Sequence, residues 1–355
     1  MSGMEKPRNR RLFPHALDVA NGRVDMSHGA GGRAMAQLVS DLFAAAFENE
    51  YLAQGNDMAV MAPPPGRLVM STDGYVISPL FFPGGDIGSL AVHGTINDVA
   101  MSGARPLYLS AGFIIEEGFP LADLKRIIEF MAGASRATGV PIVTGDTKVV
   151  ERGKGDGVFI VTTGVGVLPE GLHISGDNIR PGDAILVSGS IGDHGIAILS
   201  KRENLEFETA LESDSAPLHD LVAHMVAAVP EIHCLRDPTR GGVAATLNEL
   251  ANQSDVGMAL DEDALPIKPA VRGACELLGI DPLGVANEGK LLAFCPAGRA
   301  DRLLEVMRSH PLGAEAAIIG HAEEGQGRNL VRLRTSFGGD RVVEWLNGEQ
   351  LPRIC

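Results

Sequence analysis

The sequence predicts a mixed α/β protein built from two domains. A chain of 355 residues is too long for one small core, so two domains of ordinary size are expected. Predicted strands and helices alternate on both sides of residues 168–182, a stretch rich in Pro, Gly and Asp. The 44 glycines and the low aromatic content of 5% indicate many tight turns and close backbone approaches.

The first half is predicted to contain a disordered leader, residues 1–25, and a domain over residues 26–170. Its first helix has an apolar face at three- and four-residue spacing, formed by Met35, Leu38, Val39, Leu42, Phe43 and Phe47. The later elements are, in order, a short strand over 68–71 that ends at Thr72-Asp73-Gly74, a small-residue helix over 88–101, an amphipathic helix from Pro120, a strand over 141–144 and a strand over 158–167.

The second half, residues 171–340, is predicted to form the other domain. It contains strands over 184–188 and 290–295, further strands near Ala317 and Val331, and helices over 218–229, 241–252, 270–278 and 299–309. The last segment, residues 341–355, follows a turn signal and is predicted to be an extended, flexible tail.

The charge balance excludes some partners. With 45 acidic and 30 basic residues the net charge is −15, which repels nucleic acid phosphates and anionic lipids. A nucleotide can still bind if divalent cations lie between carboxylates and phosphates. Uninterrupted apolar runs all stay short of the roughly 18 residues that a membrane span needs.

The four cysteines are widely scattered and lack metal-ligand or redox spacing. The basic N-terminal residues are not followed by the apolar stretch of a secretory signal. Both features predict a cytoplasmic protein without a disulfide framework. Cys234, Cys275 and Cys295 are expected to be buried apolar fillers.

Four aspartates share one sequence context, beside Gly, Asn or Pro where an element ends or turns: Asp73, Asp98, Asp146 and Asp237. Mg²⁺ prefers carboxylate and water oxygens and is usually shared with substrate phosphates, so several converging aspartates suit a nucleotide–metal site. Taken singly, each aspartate is more readily explained as a turn former or a helix cap. Asp98 fits that alternative least well, because it lies with Asn97 inside an apolar helix.

The glycine-rich stretch 29–32 leads into the first helix, where free backbone N–H groups can bind phosphate. It has neither the Walker pattern nor a dinucleotide fingerprint, so a plain helix-entry loop is an equally good interpretation.

Lys148 and Glu288 are the other candidates for chemistry. Lys148 follows Asp146 closely and could neutralise a phosphate, whereas Glu288 precedes a strand predicted to be buried and could be a general base. A surface ion pair is the alternative for each.

Cys355 is the most specific single feature, because a cysteine rarely occupies the last position of a chain. Pro352 stiffens the approach to it. From Asn347 onward an extended segment reaches roughly 25–30 Å, far enough to enter an active site or to meet another protein. An inert terminal thiol is the alternative.

Together these motifs resemble the PurM-like ATP-binding superfamily and, within it, the HypE family of hydrogenase maturation enzymes. The resemblance runs from about His28 to Cys355. The superfamily motifs are Ser71-Thr72-Asp73-Gly74, Gly94-Thr95-Ile96-Asn97-Asp98-Val99-Ala100-Met101-Ser102-Gly103-Ala104, Gly145-Asp146-Thr147-Lys148, Asp237-Pro238-Thr239-Arg240-Gly241-Gly242 and Ala286-Asn287-Glu288-Gly289-Lys290. The motifs typical of the HypE family are His28-Gly29-Ala30-Gly31-Gly32 and Pro352-Arg353-Ile354-Cys355.

The resemblance implies two PurM-like α/β domains, a homodimer joined through a β-barrel-like interface of the N-terminal domains, and a site for ATP and Mg²⁺. It implies ATP contacts at Gly29, Gly31, Gly32, Asn97, Asp98, Asp146 and Thr147. It implies metal contacts at Asp73, Asp98, Asp146 and Asp237, and catalytic roles for Cys355, Lys148 and Glu288.

The implied reaction is the ATP-dependent dehydration of a carbamoyl group on the Cys355 sulfur to a thiocyanate. A HypF-like carbamoyltransferase would load the sulfur, and a HypC–HypD scaffold complex would receive the cyanide for a hydrogenase iron. The tail must then alternate between an inserted and an exposed state.

Two other functions remain open from the sequence. A small-molecule kinase or synthetase of the same superfamily would use the aspartates but not Cys355. A non-enzymatic adaptor would use the thiol only for docking or delivery.

Overall fold

The first half of the chain is organised around a four-stranded sheet. The computed structural model describes residues 13, 16–62, 64–205, 211–325, 327, 329–345, 351 and 353–355. The strand order is β1-β6-β4-β5, with β4 and β5 parallel and the other neighbours antiparallel. The strands are β1 (Arg67–Tyr75), β4 (Arg105–Glu116), β5 (Ile142–Val150) and β6 (Val158–Leu168), and a separate two-residue ribbon pairs β2 (Phe81–Phe82) with β3 (Gly85–Asp86).

Two helices, α2 (Ile87–Ala100) and α3 (Leu121–Thr138), cover one face of this sheet. The Asp86 side chain caps α2 by accepting from the N–H groups of Gly88 and Ser89. Alternating residues of the strands point into the core between sheet and helices. The short helix α1 (Arg33–Leu38) continues into a wider π-helical turn, Val39–Ala44. Leu38, Leu42, Phe43 and Phe47 of the predicted apolar face are buried against the same core, whereas Val39 is 37% exposed.

The opposite face of the sheet leaves apolar side chains exposed. Leu68 and Met70 on β1 are 64% and 72% exposed, and Ile114 and Val161 lie on the same face. Exposed apolar side chains on one face of a sheet are typical of an interaction face.

The second half contains a seven-stranded sheet with the order β13-β12-β9-β11-β7-β10-β8. Its strands are β7 (Asp183–Val187), β8 (Cys234–Arg236), β9 (Val256–Asp261), β10 (Leu292–Pro296), β11 (Ala317–Glu324), β12 (Val331–Arg334) and β13 (Asp340–Val342). The helices around it are α4 (Asp193–Glu203), α5 (His219–Ala228), α6 (Gly242–Ser254), α7 (Pro269–Leu278) and α8 (Ala300–Arg308). None of the helices in the described part of the chain has the length and apolar character that crossing a bilayer requires.

Several sequence predictions need correction. The strand predicted over 68–71 extends through Asp73 to Tyr75, and β5 continues through Asp146 and Lys148 instead of ending before them, because both segments pair with neighbouring strands. The long strand β4 was not predicted, nor were β8, β9 and α4.

The two ends of the chain also differ from prediction. Much of the leader, residues 1–12, 14 and 15, lies outside the described residues. Val24 is buried at 1% exposure and donates its N–H to the carbonyl of Phe119, so disorder does not extend to residue 25. The start of the predicted tail belongs to the second sheet, because β13 reaches Val342 and Val343 is buried.

Candidate functional site

A cavity of about 650 Å³ opens between the two halves of the molecule. The first half contributes β1 and α2, and the second half contributes the residues after β8 and before β10. The charged and thiol groups on its wall include Asp73, Asp98, Asp237, Glu288, Arg240 and Cys355. Five of the residues predicted to act therefore meet in one place.

A close helix–strand approach positions the first two carboxylates. A Cβ atom on Gly94 of α2 would lie only 2.4 Å from the Tyr75 hydroxyl, so glycine allows α2 to approach β1 closely. One turn further along α2, Asp98 accepts a 2.7 Å hydrogen bond from the Ser71 hydroxyl of β1. Asp73 lies two residues further along the same strand.

Asn287 links the two acidic residues of the second half. Its side-chain amide and its backbone N–H both donate to the carbonyl of Pro238, at 3.0 and 3.1 Å. Asp237 precedes this proline and Glu288 follows the asparagine, so the contact brings the two carboxyl groups to the same wall.

Glu288 is only 3% exposed and its main chain is fixed at both ends. Its N–H donates to Asp214 Oδ1 at 3.0 Å, and its carbonyl accepts from Asn97 Nδ2 at 3.1 Å. The side-chain Oε1 atom has no hydrogen-bond partner among the described residues. A buried carboxyl oxygen without a partner is costly unless a proton or a ligand meets it.

Three carboxyl groups of the cavity, those of Asp98, Asp237 and Glu288, hold protons more strongly than isolated ones. Burial, together with the nearby charge of Asp98, raises the pKa of Asp237 to about 7. Burial is also the main cause that raises the pKa of Asp98 and lifts the pKa of Glu288 well above its ordinary value. Divalent cations stabilise such clusters and prefer oxygen ligands, so this donor set fits Mg²⁺.

Sequence reasoning missed two cations on the wall, Arg236 and Arg240. Arg236 is paired with Glu249 at 3.1 Å, whereas Arg240 makes no hydrogen bond or ion pair with another described side chain. Both flank Asp237 within the motif Arg-Asp-Pro-Thr-Arg-Gly-Gly, so the signal was their spacing around the aspartate.

The other predicted residues lie elsewhere in the protomer. Asp146, Thr147 and Lys148 are on β5, at the sheet edge opposite β1 and so roughly 14 Å away at about 4.8 Å per strand. Lys148 Nζ pairs with Asp146 Oδ2 at 2.6 Å, and the hydrogen bond from Lys148 lowers the pKa of Asp146.

The glycine-rich loop, with Gly29, Gly31 and Gly32, lies beside the same strand. A Cβ atom on Gly29 would lie 2.7 Å from the Val149 backbone nitrogen. The predicted phosphate loop and the predicted lysine are therefore neighbours of each other, not of the acidic cavity.

Asn97 is fully buried and lies outside the cavity wall. Besides Glu288, its amide donates to the carbonyl of Ala216, and its oxygen accepts from the N–H of Leu218 at 2.7 Å. These contacts occupy its polar atoms within the protein, and one of them holds the main chain of Glu288.

Cys355 lies at the cavity with its main chain against the residue that follows β1. The N–H of Val76 donates to the Cys355 carbonyl at 3.1 Å, and the side chain of Ile354 is buried. The described end of the tail is therefore seen in an inserted position.

Comparison with known proteins identifies both halves of the chain. Residues 55–168 match the AIR synthase related protein, N-terminal domain family, and residues 180–332 match the corresponding C-terminal domain family. The chain is 68% identical over 344 residues to the carbamoyl dehydratase HypE of Cupriavidus necator, covering 97% of this chain and 98% of the relative. It is 70% identical over 339 residues to that of Azotobacter vinelandii, covering 96% and 99%.

Solved structures agree with this assignment. A crystal structure of the hydrogenase maturation protein HypE in complex with ATP has a TM-score of 0.90 and 51% identity, over 93% of this chain and 99% of that one. HypE in a HypE–HypF complex has a TM-score of 0.76 and 49% identity, over 86% and 99%. A thiamine monophosphate kinase of Aquifex aeolicus, at 21% identity and a TM-score of 0.58 over 87% and 99%, shares the fold. The chain therefore has the PurM-like two-domain fold and belongs to the HypE family of carbamoyl dehydratases, enzymes of hydrogenase maturation.

Proposed function

We propose that the chain uses ATP to convert a carbamoyl group on its own Cys355 sulfur into a thiocyanate, which supplies the cyanide ligand of a nickel–iron hydrogenase. The observation that carries this proposal is that Cys355 lines the same cavity as Asp73, Asp98, Asp237 and Glu288. A sulfur-bound amide would lie beside an acidic cluster suited to a metal–nucleotide complex. Attachment to the chain makes the reaction intramolecular, which raises the effective concentration of the amide.

The ATP bound in the similar HypE structure supports ATP as the second substrate. Asp73, Asp98 and Asp237 would hold Mg²⁺, which supplies positive charge against the triphosphate when it is bound. Arg236 and Arg240 on the same wall would donate to phosphoryl oxygens.

The reaction removes one oxygen from the carbamoyl carbon and two protons from its nitrogen. The amide oxygen is a poor leaving group, so it first attacks the γ-phosphorus of ATP, and the bond between that phosphorus and ADP breaks. One N–H proton leaves with this step. The C–O bond to phosphate then breaks as the second N–H proton leaves and the C≡N bond forms.

Glu288 is our choice of proton acceptor. Its side chain is buried at the cavity, and Oε1 has no hydrogen-bond partner among the described residues. Its raised pKa gives the carboxylate the proton affinity that a general base needs near neutral pH.

The distant residues fit the same function in a homodimer. The sheet of the first half carries the acidic residue Asp73 on one edge strand, β1, and Lys148 on the other, β5. In a two-fold dimer joined through the exposed apolar face, β5 of one subunit would meet β1 of its partner. Each cavity would then receive Gly29 to Gly32 and Asp146 to Lys148 from the partner subunit.

Loading and delivery require other proteins. The HypE–HypF complex supports a HypF-like carbamoyltransferase as the partner that loads Cys355. A HypC–HypD scaffold complex would then accept the cyanide. Both steps would take place in the cytoplasm.

The deciding experiment is intact-mass analysis of carbamoylated protein incubated with Mg-ATP. Wild type should lose the mass of one water molecule, and Glu288→Gln should be loaded normally but keep its mass. Cys355→Ser should not be loaded at all. An adaptor would show no mass loss, and a small-molecule kinase would keep its ATP turnover in the Cys355→Ser variant; either result would refute the proposal.

A further inference from the structure

The end of the tail lies along the chain that follows β1 and accepts two main-chain hydrogen bonds from it. The N–H of Ser78 donates to the Arg353 carbonyl at 3.2 Å. Two residues away on each segment, the N–H of Val76 donates to the Cys355 carbonyl. Arg353 returns the contact, because its Nε donates to the Val76 carbonyl at 2.9 Å and its guanidinium pairs with Asp156. Main-chain pairing of this kind fixes the register of an added segment.

Arg202 at the end of α4 fastens the two paired segments together. Its Nη2 donates to the Ser78 carbonyl at 2.7 Å and to the Arg353 carbonyl at 2.8 Å, and its Nε also donates to Ser78 at 3.0 Å. Because α4 belongs to the second half and Ser78 to the first, the inserted tail bridges both halves.

His194, at the start of α4, contacts the residue next to Cys355. This fully buried imidazole lies with Nε2 2.7 Å from the Ile354 carbonyl and Nδ1 2.7 Å from the Ser213 hydroxyl. A carbonyl only accepts, so Nε2 carries the proton and Nδ1 accepts from Ser213. Burial lowers the pKa of His194, which favours this neutral form.

The same loop connects His194 to the proposed base. Ser213 is followed by Asp214, whose Oδ1 accepts the N–H of Glu288. Ser213, which bonds to His194, and Asp214, which bonds to Glu288, are therefore adjacent residues.

We propose that His194 and Arg202 form a dock for the main chain of residues 353–355 and are positioning residues that set the Cys355 sulfur beside Glu288. The reaction step of this inference rests on the proposed function. The contacts are made to carbonyl groups of the tail, so they are the same whether or not the sulfur carries a carbamoyl group. The dock thus favours the inserted state of the tail over the exposed state, and it does so equally whether Cys355 carries the carbamoyl group or the thiocyanate.

The test uses two substitutions of His194 in the full-length chain. His194→Phe keeps a ring at the edge of Phe82 but removes both hydrogen bonds, whereas His194→Gln can still donate to Ile354 and accept from Ser213. Arg202→Gln tests the dock at a second residue, which is only half-buried. The readouts are hydrogen exchange of the Val76 and Ser78 amides and the rate at which iodoacetamide modifies Cys355, since the other three thiols are buried.

His194 and Arg202 each donate one hydrogen bond to a tail carbonyl. We expect His194→Phe and Arg202→Gln to speed both readouts about 5- to 10-fold, the effect of losing that one bond to the tail, and His194→Gln to restore wild-type rates. In both faster variants, loading by the carbamoyltransferase should be unimpaired while dehydration slows. Unchanged exchange and alkylation in both variants would overturn the dock. If exchange and alkylation respond but wild type never loses water, the dock stands and the proposed function fails.

Discussion

The carboxyl groups of the cavity show how the placement of single residues changes their chemistry. Asp73 and Asp237 have ordinary sequence contexts, and each alone could have been a turn former. In the folded chain Asp237 is buried and close to the charge of Asp98, and its pKa rises to about 7. A group that titrates near neutral pH must make the stability of the metal-free protein depend on pH.

The sign of this dependence is fixed. Between pH 5 and 7 Asp237 keeps its proton in the folded state, whereas in the unfolded chain it ionises near its ordinary value of 3.8. Without divalent cations, wild type should therefore lose stability relative to Asp237→Asn as pH rises, by up to about 1.4 kcal/mol per pH unit, and the difference should level off above pH 7. Urea unfolding at pH 5, 6, 7 and 8 measures it.

Asp146→Asn is the matched control for this measurement. The pKa of Asp146 is lowered, so its titration falls below the range tested and its difference from wild type should stay flat. A flat difference for Asp237→Asn as well would show that Asp237 is not a high-pKa group in the folded chain.

At the scale of elements, α2 joins the two halves, and its residue Asn97 makes three hydrogen bonds across the boundary. Asn97 donates to the carbonyls of Ala216 and Glu288 and accepts from the N–H of Leu218, all in the second half. The helix also supplies Asp98 to the cavity from the adjacent position. Neighbouring residues of α2 therefore have two roles, since Asn97 links the halves and Asp98 contributes to the site.

Removing the Asn97 amide should be costly. Asn97→Ala leaves three buried main-chain groups without this partner, and we expect the free energy of unfolding to fall by about 2–4 kcal/mol. Asn252→Ala is the control, because that amide donates only to a carbonyl of its own helix, Asn248, and should cost less than about 1 kcal/mol. Equal losses in urea unfolding would contradict the special role of Asn97.

The sequence predicted well those elements whose pattern is local. The amphipathic α3 and the alternating β6 agree with prediction, whereas β4 was missed because Ser110, Ala111 and Gly112 interrupt its apolar pattern. The strand extensions through Asp73 and Asp146 depend on pairing partners that are distant in sequence.

The site could be predicted only in part for the same reason. Motifs indicated Asp73, Asp98, Asp237, Glu288 and Cys355, and these converge. That Asp146 and Lys148 lie on the other edge of the sheet depends on strand order, which periodicity does not reveal. His194 and Arg202 were missed because they contact main-chain carbonyls, a role that leaves no motif.

At the scale of the whole molecule, the exposed apolar face of the first sheet is the surface through which we propose that two chains associate. Leu68, at 64% exposure, lies on this face with Met70. Leu68→Asp should weaken the proposed dimer by roughly 100-fold or more, because a two-fold interface would bury the new charge twice. Sedimentation equilibrium measures the association, and ATP binding should weaken in parallel.

Leu277→Asp is the control for this experiment. Leu277 is 72% exposed on α7, far in sequence from the first sheet, and its replacement should leave the association unchanged. If both variants associate like wild type, the dimer does not use this face.

The tail of each chain enters a cavity whose acidic groups come from that same chain. The Cys355 sulfur and the Glu288 base of one cavity thus belong to the same chain, whereas Lys148 would come from the other subunit. Mixing Cys355→Ser with Glu288→Gln should yield no cyanation, since every intact sulfur faces a defective base. Mixing Cys355→Ser with Lys148→Ala should instead rescue turnover in hybrid dimers. In such a dimer the Cys355→Ser chain supplies an intact Lys148 to the cavity of the Lys148→Ala chain, which has the intact thiol.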